Sequence, residues 1–154
     1  MSKEIQYLNN LAESFKRMSA KIKFINLIKK AKKEYENYDF ECAREKLEEA
    51  HFLDPENAVP LRGLGCLELF NKNYKKALEY YFKAIKFSKN KELEYTLIGM
   101  VYYLQNRLDD SIKYFNNAIE ENDDYEFAYN SRNQAMLESH LRIIDFQEVL
   151  KKYF

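Results

Sequence analysis

The sequence predicts an all-α fold of stacked antiparallel helix pairs, about seven to eight helices in a single domain. Three observations carry that expectation. First, residue classes recur every 34 positions: Ala43, Ala77 and Ser111; Leu47, Tyr81 and Phe115; Ala50, Ala84 and Ala118. A fixed period of this size marks a repeat architecture. Second, each repeat sets small, large and small residues at i, i+4 and i+7, one face of a helix. Third, the 154 residues include only three Gly and two Pro. An all-β sandwich or barrel needs a turn roughly every 8–12 residues, and this chain lacks the residues to make them.

The elements follow in chain order. Residues 3–18 carry Ile5, Leu8, Ala12 and Phe15 on one stripe, widened by Leu11 and Met18, which predicts an N-terminal helix within 1–23. Nothing before Asn37 breaks a helix, so this segment either stands alone or runs into repeat one as one long helix. Repeat one spans 24–57, repeat two 58–91 and repeat three 92–125. The turns within repeats fall at Asn37-Tyr38-Asp39, Lys72-Asn73 and Gln105-Asn106. Upstream of the turns, Ala31, Gly65 and Gly99 keep the 34-residue step, as do Leu27, Leu61 and Tyr95. The small residues let a neighbouring helix approach, and the large ones fill the groove that remains. Ile28, Ala31 and Tyr35 offer a second register for repeat one, shifted by one residue. Residues 126–154 form a half repeat and a capping helix. Here Asp145 and Glu148 read as a capping box, with Ile144 and Val149 as a staple starting a last helix at Phe146. One continuous helix over 126–152 is the competing reading.

On these residues the chain resembles the tetratricopeptide-repeat family. Repeat two carries Leu61, Leu64 and Gly65, then Tyr74, Ala77, Tyr81 and Ala84. Repeat three carries Tyr95, Ile98, Gly99 and Tyr102, then Ser111, Phe115 and Ala118. Repeat one has Ala43, Leu47 and Ala50, ending on Leu53-Asp54-Pro55, the family's usual end signal. The resemblance covers about two thirds of the chain. It implies a right-handed α-solenoid with a concave face lined by the first helix of each repeat. The implied peptide-binding positions are Val59, Arg62, Cys66, Leu69 and Phe70, then Leu93, Thr96, Leu97, Met100, Tyr103 and Leu104, then Phe127, Asn130, Gln134 and Leu137. The set is strongly apolar, and an exposed apolar patch usually marks an interaction site. Some family members clamp a peptide's C-terminal carboxylate with Lys, Asn and Arg. The matching places here hold Ile28, Lys32, Gly63, Leu93 and Leu97, of which only Lys32 is suited. An apolar segment of a protein partner is therefore the expected ligand, as for an adaptor, scaffold or small chaperone. Burial of these residues under a terminal helix is the plain alternative.

Other functions find little support. There is no GxGxxG or GxxxxGK[ST] phosphate loop. Cys42 and Cys66 lie 24 apart with no CxxC, so they read as reduced thiols of a cytoplasmic protein rather than metal ligands. No cofactor, metal or catalytic set is expected, and His51 shares a column with Ile85 and Ile119. No apolar stretch is long enough to span a membrane. Net charge is zero, yet residues 1–33 hold +7, 34–57 −7, 71–91 +6 and 92–126 −7. Lys16 to Lys33 holds eight basic residues and no acid. It reads as a solvated helix face, with nucleic acid or an anionic surface as the lesser alternative. A homodimer through the N-terminal helix is the other alternative.

Overall fold

A computed structural model of the chain describes the backbone of residues 3–153 and the side chains of residues 3–141. The described residues form seven helices and no strand: α1 Lys3–Glu36, α2 Phe40–Leu53, α3 Ala58–Phe70, α4 Tyr74–Ile85, α5 Glu92–Leu104, α6 Leu108–Glu121 and α7 Glu126–Tyr153. The packing divides inside α3 into two compact parts, Met1–Leu64 and Gly65–Phe154.

In the first part α1 packs on α2. Leu27 and Ala31 are buried on α1, and Ala43, Leu47 and Ala50 on α2. Repeat one therefore keeps the 34-residue register. The shifted alternative fails at Tyr35, which is 38% exposed and meets Phe40 with the rings tilted, 5.5 Å between centroids. The N-terminal segment is not a separate helix. α1 crosses residues 23 and 24 without a break, since no Gly or Pro interrupts it. Asp39 caps α2 by accepting a hydrogen bond from the Cys42 backbone N–H at 3.1 Å. That bond holds the Asp39 carboxyl below its ordinary value of 3.8. The stabilisation is present above 3.8 and disappears as pH falls through the lowered value. Asp39→Asn keeps an acceptor but loses the charge. We expect wild type to melt higher than Asp39→Asn at neutral pH. The gap should close in acid as Asp39 protonates, which thermal melts across the acid range will show.

In the second part the core is built on Ala77, Tyr81, Ile98 and Val101, with Leu69, Tyr74, Leu78, Ile85, Leu97 and Tyr102 packed around them. α5 packs on α4 and α6, and α6 on α7. The repeat columns explain the contacts. Gly65 faces the Tyr81 ring and Gly99 faces the Phe115 ring, two equivalent places 34 residues apart. Ser111 is fully buried because its hydroxyl donates to the Leu108 carbonyl at 2.7 Å. α7 runs unbroken through Asp145, so the expected helix start at Phe146 is absent. With no Gly or Pro from 126 to 153, nothing stops the helix there. The side chains of Ile144, Asp145, Glu148 and Val149 lie outside the described residues.

The turns repeat as faithfully as the helices. Tyr38, Lys72 and Asn106, again 34 apart, hold φ of 63°, 58° and 65°. Each is followed by an N–H that reaches back five residues: Asp39 to Glu34 O, Asn73 to Glu68 O and Arg107 to Tyr102 O, at 2.8–2.9 Å. This left-handed C-terminal cap satisfies carbonyls the helix leaves open. The ends of repeats one and three also match: Asp54 and Asn122 donate to the Ala50 and Ala118 carbonyls. Pro55 sits in the exposed turn after Asp54. Repeat two has no Pro there. Its Ser88 hydroxyl lies 2.8 Å from Asn90 O and 3.0 Å from the buried Glu94 carboxylate instead.

Candidate functional site

The expected ligand-binding positions fall into distinct groups. In the first part, Val59 is 38% exposed and Arg62 half-buried. In the second, Phe70 at the end of α3 and Leu104 at the end of α5 are equivalent residues, 53% and 52% exposed. Phe127 and Leu137 on α7 are open as well, and Asn130 and Gln134 on the same helix are exposed. Leu93 and Met100 are half-buried.

Several members of the set have other work. Cys66, Leu69 and Leu97 pack against the core cluster. The Cys66 sulfur also accepts the Tyr81 hydroxyl at 3.5 Å. Thr96 is fully buried and is removed from the set: its hydroxyl donates to the Glu92 carbonyl at 2.7 Å, so its one polar group is satisfied inside α5. Tyr103 is brought together with α7. Its hydroxyl donates to the Glu138 carboxylate and accepts from the Gln134 amide at 3.1 Å. Glu138 was not among the expected positions, though a 34-residue step from Phe70 and Leu104 lands on it. The α5–α7 surface thus carries a polar centre, Tyr103–Gln134–Glu138, on helices with open apolar residues.

Adjacent Tyr102 and Tyr103 part ways. Tyr102 stacks on Tyr114 at 5.3 Å and 17°, Phe82 meets the same Tyr114 edge-on at 6.0 Å, and Arg107 lies over Tyr102 at 4.5 Å. Burial foremost pushes the Tyr114 hydroxyl above its usual value. This is aromatic packing with a cation–π contact. Among the described residues no cluster of His, Cys, Asp and Glu is placed to hold a metal ion. Cys42 and Cys66 form no disulfide, and hydrogen bonding to Asp39 foremost raises the Cys42 pKa, which lowers its reactivity. On the basic stretch of α1, Lys23 pairs with Glu49 of α2 at 2.8 Å and Lys32 with Glu36 at 3.8 Å. No helix among the described residues is long and apolar enough to cross a membrane.

This geometry can be set against known proteins. No protein-family model matches the sequence, and no curated protein matches it. Solved structures do. The chain is similar to an O-GlcNAc transferase from Thermobaculum terrenum, with a TM-score of 0.69 and 19% identity over 76% of this chain. It spans only 22% of that transferase chain. It is also similar to the tetratricopeptide domain of Arabidopsis OM64, with a TM-score of 0.67, 16% identity and coverage of 75% of this chain and 95% of that one. The first such domain of Spaghetti (RPAP3), solved with the HSP90 peptide SRMEEVD, gives a TM-score of 0.68 at 16% identity, over 77% of this chain and 94% of that one. The fold is tetratricopeptide-repeat-like, an all-α helical solenoid.

Proposed function

We propose that this chain is a protein-interaction module that binds an apolar segment of a partner on the surface that carries Phe70 and Leu104. One observation carries the reading. Phe70 and Leu104 occupy the same place in successive repeats and both remain about half exposed. A repeated, solvent-facing apolar position is the periodic feature an extended or helical peptide reads. The domain of RPAP3, which is similar in fold, was solved with an HSP90 peptide ending in acidic residues. Of the five positions that would clamp such a tail, Ile28, Gly63, Leu93 and Leu97 carry no charge, and Lys32 lies 3.8 Å from Glu36. An apolar or aromatic ligand therefore fits better, with the Tyr103–Gln134–Glu138 centre setting its orientation. The chain needs no cofactor for this role and acts without catalysis, as an adaptor, scaffold or small chaperone.

Selection of displayed peptides on the intact chain tests this. Apolar and aromatic sequences should be enriched. Leu104→Glu combined with Phe127→Glu should weaken the selected peptides by at least about tenfold. Helical circular dichroism should stay at the wild-type level, since both side chains face solvent. Undiminished binding by that variant refutes the assignment.

A further inference from the structure

A run of exposed apolar residues on α1 precedes the buried residues that pack on α2. Every residue from 3 to 23 is exposed. Along this stretch Leu8, Leu11, Phe15, Met18, Ile22 and Ile25 are between 41% and 60% exposed. Their spacing alternates three and four residues without a fault. That is the a/d pattern of a coiled-coil seam, held for three heptads over about 27 Å of helix. The pattern ends where α1 begins to serve the repeats. Leu27 and Ala31, which pack toward α2, sit two residues beyond Ile25 and Lys29. At 3.6 residues per turn the two stripes lie about 200° apart. Leu8, Leu11, Phe15 and Met18 stand clear of α2, while Ile22 and Ile25 rim recesses shared with the α2 residues Glu49 and Leu53 and stay 53% and 42% exposed.

We infer that the seam is occupied by the same seam of a second copy of this chain, running antiparallel. Charge selects that occupant. In an antiparallel pair Leu8 meets Ile25, Leu11 meets Ile22 and Phe15 meets Met18, each twice. The next layer outward in the same register joins Glu4 with Lys29, and both are exposed and lie at seam positions. A parallel pair would instead set Glu4 on Glu4 and Lys29 on Lys29, which is unfavourable. The sequence beside the seam agrees: Ala12, Ser14, Ser19 and Asn26 are small or uncharged, with Lys21 the one charged residue among them. Two α1 helices can approach closely without a row of like charges between them. The basic side chains Lys16, Arg17 and Lys23 point away from the seam, so the same helix stays soluble when paired.

Sedimentation equilibrium on the intact chain across the micromolar range tests this. A two-chain mass that dissociates on dilution is expected. Phe15→Glu with Met18→Glu should give a one-chain mass with unchanged helical dichroism. Glu4→Lys alone and Lys29→Glu alone should each weaken association by about tenfold, and the two together should restore it. A one-chain mass at every concentration overturns the proposal. So does a dimer indifferent to the Phe15 and Met18 changes. A dimer that the double charge swap fails to restore overturns the antiparallel register. Binding of a one-chain species to vesicles rich in anionic lipid, lost with Phe15→Glu, would assign the seam to a membrane surface instead.

Discussion

Phe115→Ala is expected to lower the stability of repeat three by about 3–5 kcal/mol, the range for emptying a buried aromatic site. Phe115 is 2% exposed, and its ring fills the space over Gly99. A Cβ built on Gly99 would lie 2.6 Å from Phe115 Cε1 and 2.7 Å from Cδ1. Gly99→Ala in the wild-type chain therefore forces the ring aside and costs stability. In the Phe115→Ala background that obstacle is gone. There Gly99→Ala should stabilise, by up to about 1 kcal/mol, because Ala is the better helix former. The sign of one substitution thus depends on the residue facing it. Denaturation of the four proteins measures the coupling as a double-mutant cycle. Repeat arrays can open one repeat at a time, so hydrogen exchange on α5 and α6 should accompany it. Additive effects would mean that Gly99 and Phe115 do not share this contact.

That pair was legible in the sequence, and the reason is physical. A helix seam needs a small residue opposite a large one, and a 34-residue repeat prints the requirement once per repeat. The buried columns Ala43/Ala77/Ser111, Leu47/Tyr81/Phe115 and Ala50/Ala84/Ala118 all follow from it. The turns were located by their Asn and Asp residues, but those residue types did not mark which position turns left-handed. Tyr38 and Lys72 adopt a left-handed backbone that Gly or Asn would adopt more easily, and only Asn106 fits the usual preference. The continuity of α1 and α7 was open, since a chain without breakers is compatible with one helix or two.

The ligand surface was less legible. Thr96 occupies the same column as Arg62 and Asn130, two polar residues. Only the structure shows that its hydroxyl turns back onto the Glu92 carbonyl, which lets it be buried at little cost. Tyr103 and Gln134 were both singled out, but Glu138 completes their network through a side-chain contact 35 residues away. No local pattern encodes that. The seam on α1 was half visible. Residues 5 to 18 showed the apolar stripe, but its extension through Ile22 and Ile25 became distinct only once α1 proved to be one helix on which both stay exposed.

The two neighbouring glycines of α3 give a prediction in which the sign is decided by what each one faces. Gly65→Ala should destabilise the chain. Its Cβ would lie 2.4 Å from Tyr81 Cε1, 2.8 Å from Cδ1 and 2.9 Å from Cζ. That ring is fully buried and its hydroxyl is held on Cys66, so it has nowhere to go. Overpacking of this kind costs about 1–3 kcal/mol, against a helix-propensity gain of about 1 kcal/mol. The loss should win. Gly63→Ala meets a different obstacle. Its Cβ would lie 2.7 Å from Leu47 Cδ2 and 2.9 Å from Cδ1, the methyl ends of a flexible side chain that retains 7% exposure. A rotation about the Leu47 side-chain bonds relieves the clash, and the propensity gain is kept. Gly63→Ala should therefore leave stability within about 1 kcal/mol of wild type. Parallel urea denaturation of the two variants should place Gly65→Ala clearly below Gly63→Ala. The reverse order would mean that the repeat register, and with it the pairing of Gly65 to Tyr81 and Gly99 to Phe115, is misassigned.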